Sequence, residues 1–207
     1  FQILQEKTLQ DIKKMTKKII FSTGGTGGHI FPAVNLMKHF FDKGYKVLLV
    51  TDSRGNNFIK KYSKFKSYVL KADTLTKKNL FKKFLSFLVI FYSIIRSIII
   101  LKKEKPDLIF GFGGYVSFPI SFASKFFNSP LVIYENNMVL GRANKFLSSF
   151  SKKILIAKKI TINFPEKYKG KTFEVGSILA KNIINSPITK KNNNKENFSV
   201  LVLGGSQ

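Results

Sequence analysis

Four glycines and a histidine stand within six residues, Gly24-Gly25-Thr26-Gly27-Gly28-His29. They join the apolar run Lys18-Ile19-Ile20-Phe21 to an amphipathic stretch from Pro32 to Phe41. Glycines let a backbone turn sharply and come close to a ligand. The helix that follows offers unpaired N–H groups and the positive end of its dipole, which suits phosphate. No Gly-Lys-Ser/Thr follows, so this is not a P-loop, and Ile30 occupies the third-glycine position of the dinucleotide fingerprint. A histidine at the mouth of such a loop points to chemistry on a phosphorylated substrate. The alternative for His29 is a helix-cap residue that holds the loop.

The elements that must position this loop alternate. Short β-rich runs at Ile19–Phe21, Lys46–Thr51, Phe65–Leu70, Asp107–Phe110, Leu131–Tyr134, Ile154–Ile156 and Thr172–Val175 are separated by helical patterns at Pro32–Phe41, around Phe58-Ile59, and at Leu80–Leu101, Pro119–Phe127 and Gly141–Phe150. That alternation predicts an α/β fold with a parallel, doubly wound sheet, which binds ligands at the C-terminal ends of its strands. Gly24–His29, Gly111–Tyr115 and Glu135–Asn137 all fall at such ends, so three loops should share one rim. Residues 185–197 are polar and read as a linker, and Phe198–Leu203 as a fresh buried strand running into Gly204-Gly205-Ser206-Gln207. A domain is not completed there, so a fragment is expected. Residues 1–14, ahead of Met15, show neither the apolar run nor the cleavage site of a signal peptide and are expected to lie outside the fold.

Composition excludes several classes. There is no cysteine, which rules out disulfides, thiolate zinc sites and thiol catalysis, and His29 and His39 are too few for a histidine-rich metal site. No metal is expected. The net charge is +25, but only three of 36 basic residues are arginines, Arg54, Arg96 and Arg142. Arginine supplies the bidentate fork that reads bases and phosphates. A lysine-covered surface drawn to anionic lipid or phosphate is therefore expected, and not nucleic-acid binding.

From Leu80 to Leu101 the chain is almost continuously apolar. A transmembrane helix needs about 20 such residues. However, Lys78, Lys82, Ser86, Ser93, Arg96 and Ser97 fall on one narrow stripe at helical spacing. Lysines 77, 78, 82, 83, 102, 103 and 105 bracket the run. An interfacial helix is favoured over a core helix or a true span, with Phe84, Leu88, Phe91 and Ile95 facing the bilayer.

Together these motifs resemble the MurG family, the peripheral membrane glycosyltransferases of bacterial peptidoglycan synthesis. The resemblance rests, in order, on Gly24–Ala33, on Gly111-Phe112-Gly113-Gly114-Tyr115-Val116-Ser117-Phe118-Pro119, on Tyr134-Glu135-Asn136-Asn137 with Gly141 and Asn144-Lys145, and on Gly204-Gly205-Ser206-Gln207. It runs from about Met15 to Gln207, roughly the first half of the family's length. It implies a GT-B enzyme of two Rossmann-like domains. Residues 15–178 would be the acceptor-side N-terminal domain, and 179–207 the linker and first strand of a truncated donor domain.

The implied reaction is inverting, β-1,4 transfer of GlcNAc from UDP-GlcNAc to the muramyl 4-hydroxyl of undecaprenyl-linked lipid I, giving lipid II, with no cofactor. It implies a site on the cytoplasmic face of the bacterial inner membrane, docked on anionic lipid. Thr26, Gly27 and Gly28 would lie on the donor's sugar side, and His29 would be the general base or orient the acceptor hydroxyl. Gly113, Gly114 and Tyr115 would sit near the acceptor diphosphate, while Asn137 and Ser206 would contact the donor. Asn137 is otherwise a turn residue at a strand end.

There are departures from the family pattern. Where the family has His-Glu-Gln-Asn, this chain has Tyr134-Glu135-Asn136-Asn137, and Glu135 is read as a buried structural partner. After Gly176 it has Ser177-Ile178-Leu179-Ala180, with Lys181 the nearest cation where the family has a donor-contacting arginine. The alternatives are a non-catalytic acceptor-binding fragment docked on membrane, one subunit of a split UDP-GlcNAc transferase, and a plain nucleotide-binding module.

Overall fold

The computed structural model describes residues 18–60, 65–73, 79–159 and 164–184. The expected extension at 1–14, the linker at 185–197, the strand at 198–203 and Ser206 lie outside the described residues. Seven strands form one parallel sheet in the order β3-β2-β1-β4-β5-β6-β7. They are β1 (Lys18–Ser22), β2 (Lys46–Thr51), β3 (Lys66–Val69), β4 (Leu108–Gly111), β5 (Leu131–Glu135), β6 (Lys153–Ile156) and β7 (Thr172–Glu174). The helices are α1 (Gly27–Asp42), α2 (Ser53–Ile59), α3 (Leu80–Glu104), α4 (Ser117–Ala123), α5 (Arg142–Leu147) and α6 (Lys181–Ile184). The strand order reverses beside β1, between its neighbours β2 and β4, which is where a doubly wound sheet opens its ligand crevice.

Successive residues of each strand face opposite sides. On one side Ile19 and Phe21 pack with Phe110, Phe112 and the α1 residues Ala33, Val34, Met37 and Phe40. On the other, Ile20, Leu48 and Ile109 pack with Leu101, Ile120 and Leu147 from α3, α4 and α5. Both faces are covered, which is why these strands read as continuous apolar runs rather than alternating ones.

One expectation shifts and another gains detail. First, α1 begins at Gly27, five residues before Pro32, so the proline lies inside the helix. Pro32 has no N–H for the Gly28 carbonyl, and the Asn136 side-chain amide reaches that carbonyl instead, at 3.5 Å. Second, the serine edge of α3 faces inward. Ser86, Ser93 and Ser97 are fully buried. Ser86 Oγ lies 3.0 Å from Asp73 Oδ2, Ser93 Oγ donates to the Lys71 carbonyl at 2.6 Å, and Ser97 Oγ donates back to the Ser93 carbonyl at 2.6 Å. Small side chains let segment 71–73 approach the helix, and each hydroxyl is satisfied locally. The apolar residues are left outside, with Phe84, Leu88, Phe91 and Ile95 exposed by 58, 44, 53 and 43%. By length and composition α3 could cross a membrane, yet it packs against α4, with Ile100 and Leu101 of its last turns in the core.

The C-terminal end of α3 is pinned below the sheet by Glu104, only 6% exposed. Its carboxylate takes Lys66 Nζ at 2.7 Å, Lys18 Nζ at 3.3 Å and the Tyr68 hydroxyl, and its carbonyl takes Lys18 Nζ at 2.6 Å. Burial alone would raise this acid, but the Lys66, Tyr68 and Lys18 donors outweigh it and hold the pKa down to about 2, from 4.5. Because the folded value lies below the unfolded one, the stabilisation is complete above pH 4.5 and is lost as pH falls toward 2. It is worth on the order of 2–3 kcal/mol. Glu104→Gln should lower Tm at neutral pH by about 5–10 °C and flatten the acid limb of the stability curve, measured by thermal denaturation across pH.

Candidate functional site

Three loops converge on the C-terminal rim of β1, β4 and β5, as expected. The first is held to the sheet by the Thr23 N–H, which donates to the Val50 carbonyl at 3.0 Å. The second is held by the Phe112 N–H on the Ser22 carbonyl at 2.8 Å. In the second loop Gly113 and Gly114 have φ of +80° and +77°, two left-handed residues in succession, which glycine alone adopts without strain. This brings the loops into backbone contact: a Cβ on Gly114 would lie 3.6 Å from Gly24 Cα and N. The His29 ring lies across the same turn, with Cε1 and Nδ1 at 3.4 and 3.6 Å from where a Gly113 Cβ would stand. His29 and the Gly113-Gly114 turn, far apart in sequence, thus form one surface.

The first loop also leans on α2. A Cβ at Gly25 would collide with Asp52 Oδ1 at 2.3 Å and the Gly55 nitrogen at 2.5 Å. Asp52 caps α2, accepting the Gly55 N–H at 2.8 Å. Burial would raise its carboxyl, but the Gly55 amide, Arg54 and the Gly25 amide hold it below its ordinary value. Gly28 differs, since a Cβ there would meet nothing within 4 Å. The first turn of α1 carries no acidic residue and Thr26 makes no side-chain cap. The positive dipole end of α1 is therefore uncompensated by side chains, with Gly28 exposed beside it.

Glu135 organises the third loop. It is 2% exposed and its carboxylate takes four donors: the Asn137 N–H at 3.0 Å, Asn137 Nδ2 at 2.9 Å, the Gly141 N–H at 2.9 Å and Asn144 Nδ2 at 3.0 Å. All its acceptor directions are occupied, so it acts as a structural partner and not as an acid. Asn137 is exposed on the rim with one amide hydrogen spent on Glu135, which leaves its carbonyl and one N–H facing outward. Tyr134, in place of the family's histidine, reaches the chain leaving the sheet. Its hydroxyl lies 3.2 Å from the Gly176 carbonyl and 3.1 Å from Asn136 Oδ1, and accepts from the Ile178 N–H at 3.4 Å. Burial, chiefly, pushes this phenol up to about 12. It is a neutral anchor.

Of the predicted site residues, the structure brings Thr26, Gly27, Gly28, His29, Gly113, Gly114, Tyr115 and Asn137 to the rim. Tyr115 is 49% exposed. Among the described residues no three carboxylate or imidazole side chains converge as a metal site would need. Sequence reading missed an apolar cluster beside α3, formed by Phe118, Phe122, Phe126, Phe146 and Phe150, whose ring centroids lie 5.5–6.2 Å apart. Phe126 and Phe146 are 61% and 54% exposed. The signal was there, in phenylalanines spaced by four at 118, 122 and 126 and again at 146 and 150.

Residues 19–156 match the glycosyltransferase family 28 N-terminal domain. The chain is 40% identical over 191 residues to a UDP-N-acetylglucosamine–N-acetylmuramyl-(pentapeptide) pyrophosphoryl-undecaprenol N-acetylglucosamine transferase of Rickettsia canadensis, covering 92% of this chain and 52% of that protein. It is 37% identical over 197 residues to the transferase of the same name in Pelagibacter ubique, covering 93% and 53%. The crystal structure of Acinetobacter baumannii MurG superposes with a TM-score of 0.65 and 26% identity, over 80% of this chain and 47% of that one. The chain spans about half the length of the curated relatives it matches.

Glycines 25 and 28 should separate packing from function. Gly25→Ala is expected to cost about 2 kcal/mol or more, because backbone atoms must move. Gly28→Ala, inside a helix and facing open space, is expected to stabilise by about 0.5–1 kcal/mol. Urea denaturation of the two variants checks both signs.

Proposed function

Because the chain belongs to glycosyltransferase family 28, as an N-terminal domain of the MurG kind, we propose that it forms the acceptor side of a transferase that moves GlcNAc from UDP-GlcNAc to the muramyl 4-hydroxyl of lipid I. The observation that carries this reading is the single surface made by the Gly27 and Gly28 amides, His29 and the Gly113-Gly114 turn. His29 takes the proton of the acceptor 4-hydroxyl as that oxygen attacks C1 of the sugar, and the C1–O bond to the diphosphate breaks with inversion. The amides at the start of α1 and its dipole favour the negative charge that builds on the leaving UDP, a preorganised stabilisation. Thr26 and Asn137 offer hydrogen bonds to the donor. Gly113, Gly114 and Tyr115 border the acceptor diphosphate. Ser206 contacts the donor from the second domain.

The outer face of α3 supports docking on the cytoplasmic face of the inner membrane. Its exposed phenylalanines, leucines and isoleucines are continued by the Phe118–Phe150 cluster, and Lys82, Lys83, Lys102 and Lys103 lie at its ends. Apolar area plus flanking lysine is the pattern that binds anionic interfaces. The second reading is a domain that binds lipid I without turning it over.

The test is transfer from radiolabelled UDP-GlcNAc to lipid I in vesicles. His29→Ala is expected to lower kcat by about 10²–10⁴-fold with little change in KM; unchanged turnover would remove the base from the reading. Binding of lipid I vesicles without any transfer, by a protein carrying both halves, would favour the second reading. Replacing Phe84 and Phe91 by glutamate should reduce co-sedimentation with anionic vesicles at least about tenfold while leaving stability within about 0.5 kcal/mol, since neither side chain is in the core.

A further inference from the structure

Two buried polar atoms at the rim lack partners, His29 Nδ1 and Asn144 Oδ1. Both side chains flank Gly113. The position of a Cβ there is 3.2 Å from Asn144 Nδ2 and 3.6 Å from His29 Nδ1. Asn144 is 1% exposed, and its orientation is fixed by its neighbours. Its Nδ2 spends both hydrogens, one on Glu135 Oε2 at 3.0 Å and one on the Tyr134 carbonyl at 3.3 Å. Turning the amide over would set its oxygen against a carboxylate and a carbonyl, three acceptors with no hydrogen between them. The Asn144 carbonyl oxygen is therefore the atom left over, a buried acceptor without a partner that flanks Gly113 together with the orphaned His29 Nδ1.

We propose that Asn144 is a positioning residue for His29. It accepts a hydrogen bond relayed from Nδ1–H through one buried water, and so fixes the imidazole as the Nδ1–H tautomer. The Nε2 lone pair then faces the open rim, where a hydroxyl proton can be taken. Glu135 acts at one remove. By holding the Asn144 amide nitrogen it decides which end of the amide the histidine meets, so a carboxylate with no proton to give still controls where the proton of His29 sits. The absence of a Gly113 side chain keeps the two groups within reach of each other. This inference rests on the reading of His29 as base, but what it asserts is a tautomer, which can be observed without turnover.

The test is nitrogen-15 NMR of the full 207-residue chain labelled at histidine, where only His29 and His39 contribute signals. Histidine→glutamine at position 39 assigns the two. At a pH where the ring is neutral, the expected spectrum shows His29 with Nδ1 protonated and Nε2 bare, and in Asn144→Ala this pattern reverses to favour Nε2–H. A wild-type His29 protonated at Nε2 overturns the proposal, and so does an Asn144→Ala spectrum identical to wild type. If Asn144→Ala does not fold, the wild-type spectrum decides by itself: a single Nδ1–H tautomer at His29 supports the proposal, and an even mixture of tautomers overturns it. An Nδ1–H tautomer together with full transfer by His29→Ala would leave this arrangement standing and remove the catalytic reading instead.

Discussion

Gly24 and Gly114 meet with no side chain between them, and the rim depends on that contact. The loops after β1 and β4 are neighbours because the strands are, but neighbouring loops usually hold each other off with their side chains. Here Gly114 takes a left-handed φ of +77°, which favours glycine, and a Cβ on Gly114 or on Gly24 would make ordinary contacts of 3.6 and 4.0 Å with the facing backbone. Once the backbones touch, the His29 ring has a floor, Gly113 lies under it, and Asn144 is brought in from the first turn of α5. The third loop contributes no backbone contact of this kind. Instead it is gathered by one buried carboxylate with four donors. The rim is therefore built by steric permission on one side and by hydrogen bonding on the other.

The same logic, inverted, shapes α3. A helix normally buries its apolar stripe and shows its polar one. This helix does the reverse along much of its length, because serines are small enough to let segment 71–73 close on it and can satisfy their own hydroxyls. The apolar outer surface is then a cost in water, and it is the feature on which the proposed docking to lipid rests. At the far end of the helix Glu104 draws in two lysines and a tyrosine, so the element that carries the apolar face is fixed to the sheet by charge.

Much of this could be read from residue order. The alternation of strands and helices gave the parallel sheet, and the placement of glycines at strand ends gave the rim, because both follow from local periodicity and from a general rule about where such sheets bind ligands. Element ends were less legible. Pro32 looked like the start of a helix, yet Asn136, more than a hundred residues away, serves the carbonyl that the proline leaves bare. The serine stripe was visible and its inward side followed from an outward apolar face, but its partners at 71–73 were not, since a spacing of three and four defines a face without saying what lies against it. The phenylalanine cluster was equally present in the spacing and went unseen because its two halves lie on different helices.

By itself, then, the sequence determined the fold class, the three rim loops and the family, since each is written in local pattern or in ordered motifs. The tertiary structure alone decided how the loops act on one another: that Gly24 touches Gly114, that Glu135 is saturated and cannot be an acid, that Tyr134 anchors the chain at Gly176 and Ile178, and that Asn144 and His29 flank Gly113. The physical reason is the same in each case. Hydrogen-bond partners and close contacts are properties of distance, and apart from the local partners of Glu135 the residues that set them lie from about 40 to more than 110 positions apart along the chain. No spacing rule spans such separations, and only the folded sheet brings them within reach.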